Sequence, residues 1–225
     1  MLFRSTLKVT ILSEKGEKKC TGEFNLIAEA DANQAADNVT TDAEGRTFIG
    51  GKPFMPIGLY TLAREMNETS CRQIAEGGFN VVIPYGPRAL KGHTDLKDRW
   101  KNNLAAFDML EKHGIRVLYP LMETLAHKVK NRPDMKPYVL GEEAARNLKN
   151  HRALLGWYLS DEDLRGDFPY VYELRRRIST IDRNHLTYAV NHRFDRLNLP
   201  LYAIGADVRS EEHTLNSSHG YISYA

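Results

Sequence analysis

The sequence predicts an α/β fold: the first five to six units of an incomplete (β/α)8 TIM barrel, preceded by a short β-strand segment. Short apolar runs alternate with helical stretches between residues 53 and 208. Such alternation indicates parallel strands, because each crossover returns the chain to the same end of the sheet. No Gly-rich phosphate loop follows the first run, which favours a barrel over a dinucleotide-binding sheet. At about 28 residues a unit, eight units need about 227 residues, near the typical ~250, so about two thirds of a barrel is expected.

Residues 1–45 are predicted to form the β-strand segment, a remnant or an extension of a β-domain. Leu7, Val9 and Ile11 alternate with polar residues, as in a half-buried strand, and the alternation returns at residues 23–26 after a polar turn. Two or three strands do not form an independent core. The Ala-, Asp- and Asn-rich stretch 29–42 is predicted to be a linker.

Residues 46–208 are predicted to be the N-terminal part of the barrel. They begin with a hairpin at Gly50-Gly51, because a two-residue turn of this kind needs positive φ at both positions. Buried strands are predicted at 54–60, 79–85, 115–121, 154–159 and 186–190, with a sixth opening at 206–208. Helices are predicted at 61–76, 100–110, 142–150 and 171–181.

Residues 209–225 show no strand or helix pattern that continues the sixth unit. The stretch from Arg209 to His219 resembles a peptide translated from sequencing-adapter DNA. We therefore expect this segment to be a non-native tail on a barrel interrupted after strand five or six, and the functional interpretation leaves it out.

Composition excludes several classes of function. Lys and Arg number 31 against 29 Asp and Glu, a net charge of +2, so no global field attracts nucleic acid or an anionic membrane. No apolar run is long enough to cross a membrane. The first residues lack the apolar region and cleavage site of a signal peptide, which leaves the compartment open, a periplasmic or secreted parent included. Cys20 and Cys71 are expected to be buried fillers, and the His residues lack metal-ligand spacing, so no metal is expected.

Chemistry in a parallel barrel gathers at the C-terminal ends of the strands. The candidates there are Tyr60, Tyr85, Tyr119, Met122, Glu123, Asp161, Glu162, Asp163, Asn191 and His192. Three acids directly after a buried strand are costly unless they face a polar cleft, since a buried carboxylate needs partners. Either one of them transfers protons at the barrel mouth, or Asp161 or Asp163 caps the following helix.

Four segments carry a family resemblance: FIGGKPFMPIGLY, GGFNVVIPYG, LEKHGIRVLYPL and HRALLGWYLSDED. Together they resemble the (β/α)8 glycoside hydrolases of the large retaining clan A, with family 2-like and family 5-like catalytic domains closest, over about residues 46–208. In those enzymes strand 4 ends in Asn-Glu-Pro or Asp-Glu-Pro, and the Glu is the acid/base. The resemblance implies that Glu162 is the acid/base and that Asp161, in the Asn place, binds substrate. Asp163 replaces the Pro.

The same resemblance implies a retaining two-carboxylate mechanism, with one carboxyl protonating the leaving oxygen and the other attacking the anomeric carbon. The family nucleophile is a Glu that ends strand 7, a strand that this chain is not expected to contain. The predicted function is therefore a fragment of a bacterial glycoside hydrolase with a carbohydrate substrate and no cofactor. The parent protein is expected to be active and the fragment inactive; the oligomeric state is not predicted.

Further side chains are predicted to bind the sugar. Tyr60, Tyr85 and Tyr158 carry flat apolar rings with a polar rim, which suit a sugar face. Trp157 lies mid-strand and is expected in the core instead. Asn191 and His192 are expected to have one of two kinds of role. Either they orient Glu162 or bind the hydroxyls of the sugar, or they begin a solvated loop. Glu123 and His127, four residues apart, are interpreted as a surface pair.

Two alternatives remain open. A non-catalytic carbohydrate-binding barrel would have lost the acid pair. A sugar lyase or isomerase on the same fold would require a base such as His192 near Glu162.

Overall fold

The computed structural model describes residues 2–29, 37–42, 44–86, 96–130, 136–191 and 205–211. It divides into two compact units, Met1–Ala35 and Ala36–Ala225. Within the described ranges, every helix is too short or too polar to cross a membrane.

The first unit is an antiparallel hairpin of β1 (Leu2–Leu12) and β2 (Lys18–Glu29). The Ser13 N–H donates to the Glu17 carbonyl across the turn at 2.7 Å, and Gly16 has a φ of 80°. The two alternating segments of the sequence thus lie in paired strands. Their interpretation as a remnant of a larger β-domain stays a prediction.

The second unit begins with a three-stranded antiparallel sheet of β3 (Val39–Thr41), β4 (Thr47–Ile49) and β5 (Lys52–Phe54). Gly50 and Gly51, with φ of 55° and 76°, form the predicted two-residue turn. The prediction of a linker over 29–42 is wrong at β3. Val39 is only 3% exposed, and its N–H donates to the Asn184 carbonyl at 2.7 Å. A single apolar residue in a polar stretch carries no periodic signal, so the strand depends on tertiary pairing.

The main sheet has six parallel strands in sequential order. They are β6 (Gly58–Leu62), β7 (Val81–Tyr85), β8 (Arg116–Pro120), β9 (Leu154–Asp161), β10 (Leu186–Asn191) and β11 (Val208–Glu211). The α/β class and the parallel order are confirmed. The sheet is open: β6 and β11 are its two edges over the described part of the chain.

Within the described ranges, five α-helices lie between strands of the main sheet: α1 (Glu68–Glu76), α2 (Leu96–Lys112), α3 (Ala126–Val129), α4 (Val139–Leu148) and α5 (Phe168–Ile181). The predicted helix over 61–76 begins late because β6 continues to Leu62. Asn67 then starts α1 with a capping box, in which Asn67 Oδ1 accepts from Ser70 N–H and Ser70 Oγ accepts from Asn67 N–H. The one-turn helix α3 is too short for the sequence pattern to reveal.

The core lies between the sheet and its helices. Trp157 is fully buried and donates its indole N–H to Asp182 Oδ2 at 2.8 Å, which confirms its predicted place in the core. Tyr119 packs edge-on against Trp157 and Phe107, so this predicted mouth candidate belongs to the core as well. Cys71 is a buried free thiol, as predicted, whereas the Cys20 side chain lies outside the described residues.

Two further expectations differ from the structure. The first strand was predicted as a buried run over 54–60, but β6 spans Gly58–Leu62, and Met55, Ile57 and Tyr60 are exposed. Tyr60 is exposed because nothing described covers that edge of the open sheet. The sixth strand continues to Glu211, three residues into the segment predicted to have no strand pattern. Parallel pairing with β10 uses backbone N–H and C=O groups, so it does not require an apolar side-chain pattern. Residues 212–225 lie outside the described residues.

Candidate active site

Strand β9 brings three consecutive acids, Asp161, Glu162 and Asp163, to the C-terminal end of the parallel sheet. Each acid has a different environment. Neither aspartate caps α5, which begins at Phe168 after a short turn, so the capping interpretation is wrong.

Asp161 is held by two tyrosines. The Tyr85 hydroxyl donates to Oδ2 at 2.8 Å, and the Tyr158 hydroxyl donates to Oδ1 at 2.6 Å. Tyr85 ends β7, two strands away in the sheet, so the parallel order of the strands brings these groups together. Both carboxylate oxygens therefore accept a phenol O–H, and the Asp161 side chain is fixed.

These two tyrosines belong to a larger group, here called the tyrosine cluster: Tyr60, Tyr85, Tyr158 and Tyr188. The Tyr60 and Tyr85 rings stack with centroids 5.4 Å apart, and Tyr158 lies 6.4 Å from each of them. Tyr188, on the neighbouring strand β10, lies 5.4 Å from Tyr158. Tyr158 is fully buried while Tyr60 is 42% exposed, so the cluster has a buried base and an accessible rim.

Two hydroxyls of the cluster, those of Tyr60 and Tyr158, keep their protons. Burial is the largest cause that raises the pKa of Tyr60 and of Tyr158 far above the ordinary tyrosine value. The charge of Asp161 adds to the rise in both cases. Both hydroxyls consequently remain O–H groups at physiological pH. Tyr188 is a cluster member that was not predicted, although its place on the fifth strand, three residues before Asn191, was a usable signal.

Asp163 is held by the side chains of Lys128 and His127 rather than by tyrosines. It is 7% exposed, its Oδ1 lies 3.1 Å from Lys128 Nζ, and His127 Nε2 lies 3.4 Å from the same oxygen. The other ring nitrogen of His127 lies 3.8 Å from Asp167 Oδ1. The interpretation of His127 as a surface partner of Glu123 is therefore wrong. The helix α3, which the sequence pattern did not reveal, places His127 and Lys128 against this acid.

His127, Asp163 and Asp167 offer possible metal-ligand atoms within 4.8 Å of one another. The two aspartates, however, lie beside different ring nitrogens of His127. A metal ion coordinates only one nitrogen of an imidazole ring, so it would not be shared by both aspartates in this arrangement. Lys128 already supplies a positive charge to Asp163. These contacts describe an ion-pair network better than a chelating site.

Glu162 differs from both neighbours. Its side chain is exposed, and no hydrogen bond or ion pair to it is found among the described residues. Its backbone has a φ of 54°, in the left-handed region, and its N–H donates to the Val190 carbonyl at 3.1 Å. A non-glycine residue in this region costs about 1–2 kcal/mol and persists only where its surroundings impose it. Of the three acids, Glu162 is the one whose backbone is strained and whose carboxylate is left accessible.

The remaining predicted site residues lie near this turn or outside the described residues. Asn191 ends β10 and is buried, so it is not the start of a solvated loop. Val190 beside it is the register partner of Asp161. Met122 is buried and Glu123 is exposed just after β8. His192 lies outside the described residues, so its predicted roles in hydroxyl binding or as a base stay predictions.

Sequence comparison with known proteins finds nothing similar: no protein-family model and no curated protein matches the chain. Solved structures do resemble it. A glycosyl hydrolase family 2 member from Bacteroides cellulosilyticus is 12% identical and has a TM-score of 0.52, covering 95% of this chain and 35% of that one. A family 5 glycoside hydrolase from Bacteroides vulgatus is 15% identical and has a TM-score of 0.51, covering 70% of this chain and 40% of that one.

A third solved structure, β-glucuronidase 2 from Bacteroides uniformis, is 14% identical and has a TM-score of 0.52, covering 92% of this chain and 26% of that one. At these identities the likeness concerns the fold, which is that of the TIM-barrel glycoside hydrolases. The chain spans less than half the length of each of these three structures.

Proposed function

We propose that this chain is the part of a retaining glycoside hydrolase that carries the acid/base, and that Glu162 is this residue. The observation that supports the proposal is the contrast among the three acids of the β9 turn. Asp161 is fixed by two phenols and Asp163 by Lys128, whereas Glu162 is exposed and held only through its backbone. A proton donor needs an accessible carboxyl in a fixed place.

The strained backbone adds to this argument. Left-handed conformations of non-glycine residues occur disproportionately at catalytic turns, where the surroundings stabilise them. Here the Val190 carbonyl holds the Glu162 N–H, while the anchored aspartates fix the chain on both sides. The turn therefore fixes the position of the Glu162 backbone, from which the side chain extends.

The chemistry requires a second carboxyl. Retaining hydrolysis places two carboxyls about 5–5.5 Å apart, the second being the nucleophile. We propose that the nucleophile belongs to a seventh strand outside this chain, so that the 225-residue chain binds sugar without turning it over. Tyr60 and Tyr85 would stack on the sugar, and Asn191 and His192 would contact its hydroxyls.

The test compares two lengths of protein. The chain alone is expected to leave an aryl glycoside intact, whereas a longer protein that adds strands seven and eight is expected to hydrolyse it. In the longer protein, Glu162→Gln should lower kcat by about 10²–10⁴-fold, the usual contribution of general acid catalysis. Glu76→Gln, at an exposed acid in the last turn of α1, is the matched control. Unchanged turnover by a folded Glu162→Gln protein would contradict the assignment.

A non-catalytic carbohydrate-binding barrel is the second candidate. The observation that favours it is the tyrosine cluster, which offers a sugar-binding surface independent of Glu162. A longer protein that binds sugars and lacks hydrolytic activity would support this function instead.

A further inference from the structure

We infer that Asp161 and the tyrosine cluster bind a cationic amino group, so that the sugar recognised here is an amino sugar. The inference rests on the proposed function for the sugar itself. The recognition of the ammonium depends on the cluster and Asp161, which are separate from the proposed role of Glu162.

The first step is the accepting capacity of Asp161. A carboxylate has about four lone-pair positions. The hydroxyls of Tyr85 and Tyr158 donate to one position on each oxygen, at 2.8 and 2.6 Å. The remaining positions accept N–H or O–H donors. An ammonium group, which has donors only and a positive charge, complements them better than a neutral hydroxyl does.

The second step is the aromatic surroundings. A tyrosine ring has a negative face that attracts cations. Four such rings follow one another with centroids 5.4–6.4 Å apart, and Asp161 is bonded to two of them. Aromatic rings that surround a cation are a general means of recognising organic ammonium groups, and here the hydroxyl edges of Tyr85 and Tyr158 place two of the rings beside the Asp161 carboxylate. The exposed ring of Tyr60 is the side from which a ligand reaches the cluster.

The third step is the charge of the turn. Residues 161–167 contain four carboxylates, on Asp161, Glu162, Asp163 and Asp167, against the single guanidinium of Arg165. Lys128 is already paired with Asp163. The excess of negative charge attracts an ammonium and opposes a sugar that carries a carboxylate.

Calorimetric titration of the full chain tests the inference. The ligands are the methyl glycosides of glucosamine, N-acetylglucosamine, glucose and glucuronic acid, at a mildly acidic pH at which the amine is protonated. We expect glucosamine to bind at least about tenfold more tightly than glucose, which corresponds to about 1.4 kcal/mol. N-acetylglucosamine, in which the amine is neutralised, should bind like glucose, and the glucuronide should bind more weakly.

Single substitutions test which residue causes the preference for glucosamine over glucose. Asp161→Asn keeps the shape of the side chain and should bring glucosamine down to the affinity of glucose. Asp98→Asn, at an exposed acid in the first turn of α2, should leave both affinities unchanged. If Asp161→Asn does not fold by circular dichroism, Tyr85→Phe provides a milder change. It keeps the ring but leaves Asp161 held by Tyr158 alone, so the carboxylate is less well fixed and the glucosamine preference should fall.

The outcomes are separable. Equal affinities for glucosamine and glucose overturn the inference while leaving a sugar site. A preference that survives in folded Asp161→Asn protein overturns it as well, because the ammonium then binds elsewhere. Glu162→Gln removes one of the four carboxylates of the turn but leaves Asp161 and the tyrosine cluster in place, so a smaller preference for glucosamine should persist. A failed acid/base assignment, measured by turnover in the longer protein, does not disturb this result.

Discussion

The Tyr158 hydroxyl donates to Asp161 Oδ1 at 2.6 Å, three residues along the same strand. The donor ring is fully buried, so this bond ties the end of β9 to the interior of the sheet. The Tyr85 hydroxyl completes the arrangement from β7.

Tyr158→Phe should destabilise the protein, because it removes a hydrogen bond to a charged group without leaving a large cavity. The expected loss in the free energy of unfolding is about 1.5–3 kcal/mol, measured by urea denaturation. Tyr170→Phe, at an exposed ring near His127, is the control and should change stability by less than about 0.5 kcal/mol. Equal losses in the two variants would show that the hydrogen bond to Asp161 contributes no more to the free energy of unfolding than an exposed tyrosine hydroxyl does.

Glu162→Gly should stabilise the chain. The left-handed backbone at φ 54° costs a non-glycine residue about 1–2 kcal/mol, while glycine loses about 0.5–1 kcal/mol through its greater freedom when unfolded. A net gain of about 0.5–1 kcal/mol in the free energy of unfolding is therefore expected, measured by thermal or urea denaturation. The opposite sign is expected for Glu143→Gly inside α4, where the helical backbone favours the original residue. Destabilisation at position 162 would count against strain at this turn.

Acid should weaken the core around Asp182. Burial raises the pKa of Asp182, but hydrogen bonds from His185, the Asn184 N–H and Trp157 outweigh it and hold the pKa below the ordinary carboxyl value. A depressed folded-state pKa contributes stability above the unfolded value of about 3.9, and this contribution disappears as the pH falls through the lower folded value. Denaturation curves measured from neutral pH downward should therefore show a loss below about pH 4.

The Asp182→Asn variant isolates this effect. It should remove that part of the pH dependence and lower stability at neutral pH, since His185 and the indole lose a charged acceptor. Asp108→Asn changes a carboxyl that is 76% exposed and should leave the neutral-pH stability nearly unchanged. An Asp182→Asn profile parallel to that of the unmodified protein would contradict the assignment.

Lys128 and Asp163 should be energetically coupled. Lys128→Met leaves the Asp163 carboxylate buried beside fewer positive charges, and we expect a loss of about 1–3 kcal/mol in the free energy of unfolding, because the lysine is partly exposed and solvent screens it. Asp163→Asn in the same protein should recover part of this loss. A double-mutant cycle measures the coupling, and strictly additive changes would show that the pair is independent.

Local sequence signals predicted much of the fold. The Gly50-Gly51 turn and the order of the parallel strands follow from residues close together in the chain, so the pattern contained them. The place of Glu162 at the end of the fourth strand follows in the same way. The three-residue strand β3 and the one-turn helix α3 were missed because neither is long enough to show a period.

The partners of the acids were beyond the reach of these signals. Asp161 meets Tyr85 across 76 positions of sequence, and only the assembled sheet brings the two together. Asp163 meets Lys128 through the helix α3 that the pattern did not reveal. Three adjacent carboxyls that look alike in the sequence thus have three different surroundings, and the difference decides which of them is proposed for chemistry.

The uncovered strand β6 has a consequence for handling the protein. Over the described part of the chain, the outer backbone groups of β6 lack a neighbouring strand, and Tyr60 and Leu62 present apolar surface beside them. An exposed strand edge of this kind can pair with a strand of another polypeptide chain. Solutions of the protein should therefore self-associate increasingly as they are concentrated, and a charged residue in place of Leu62 should delay this, as light scattering over a dilution series would show.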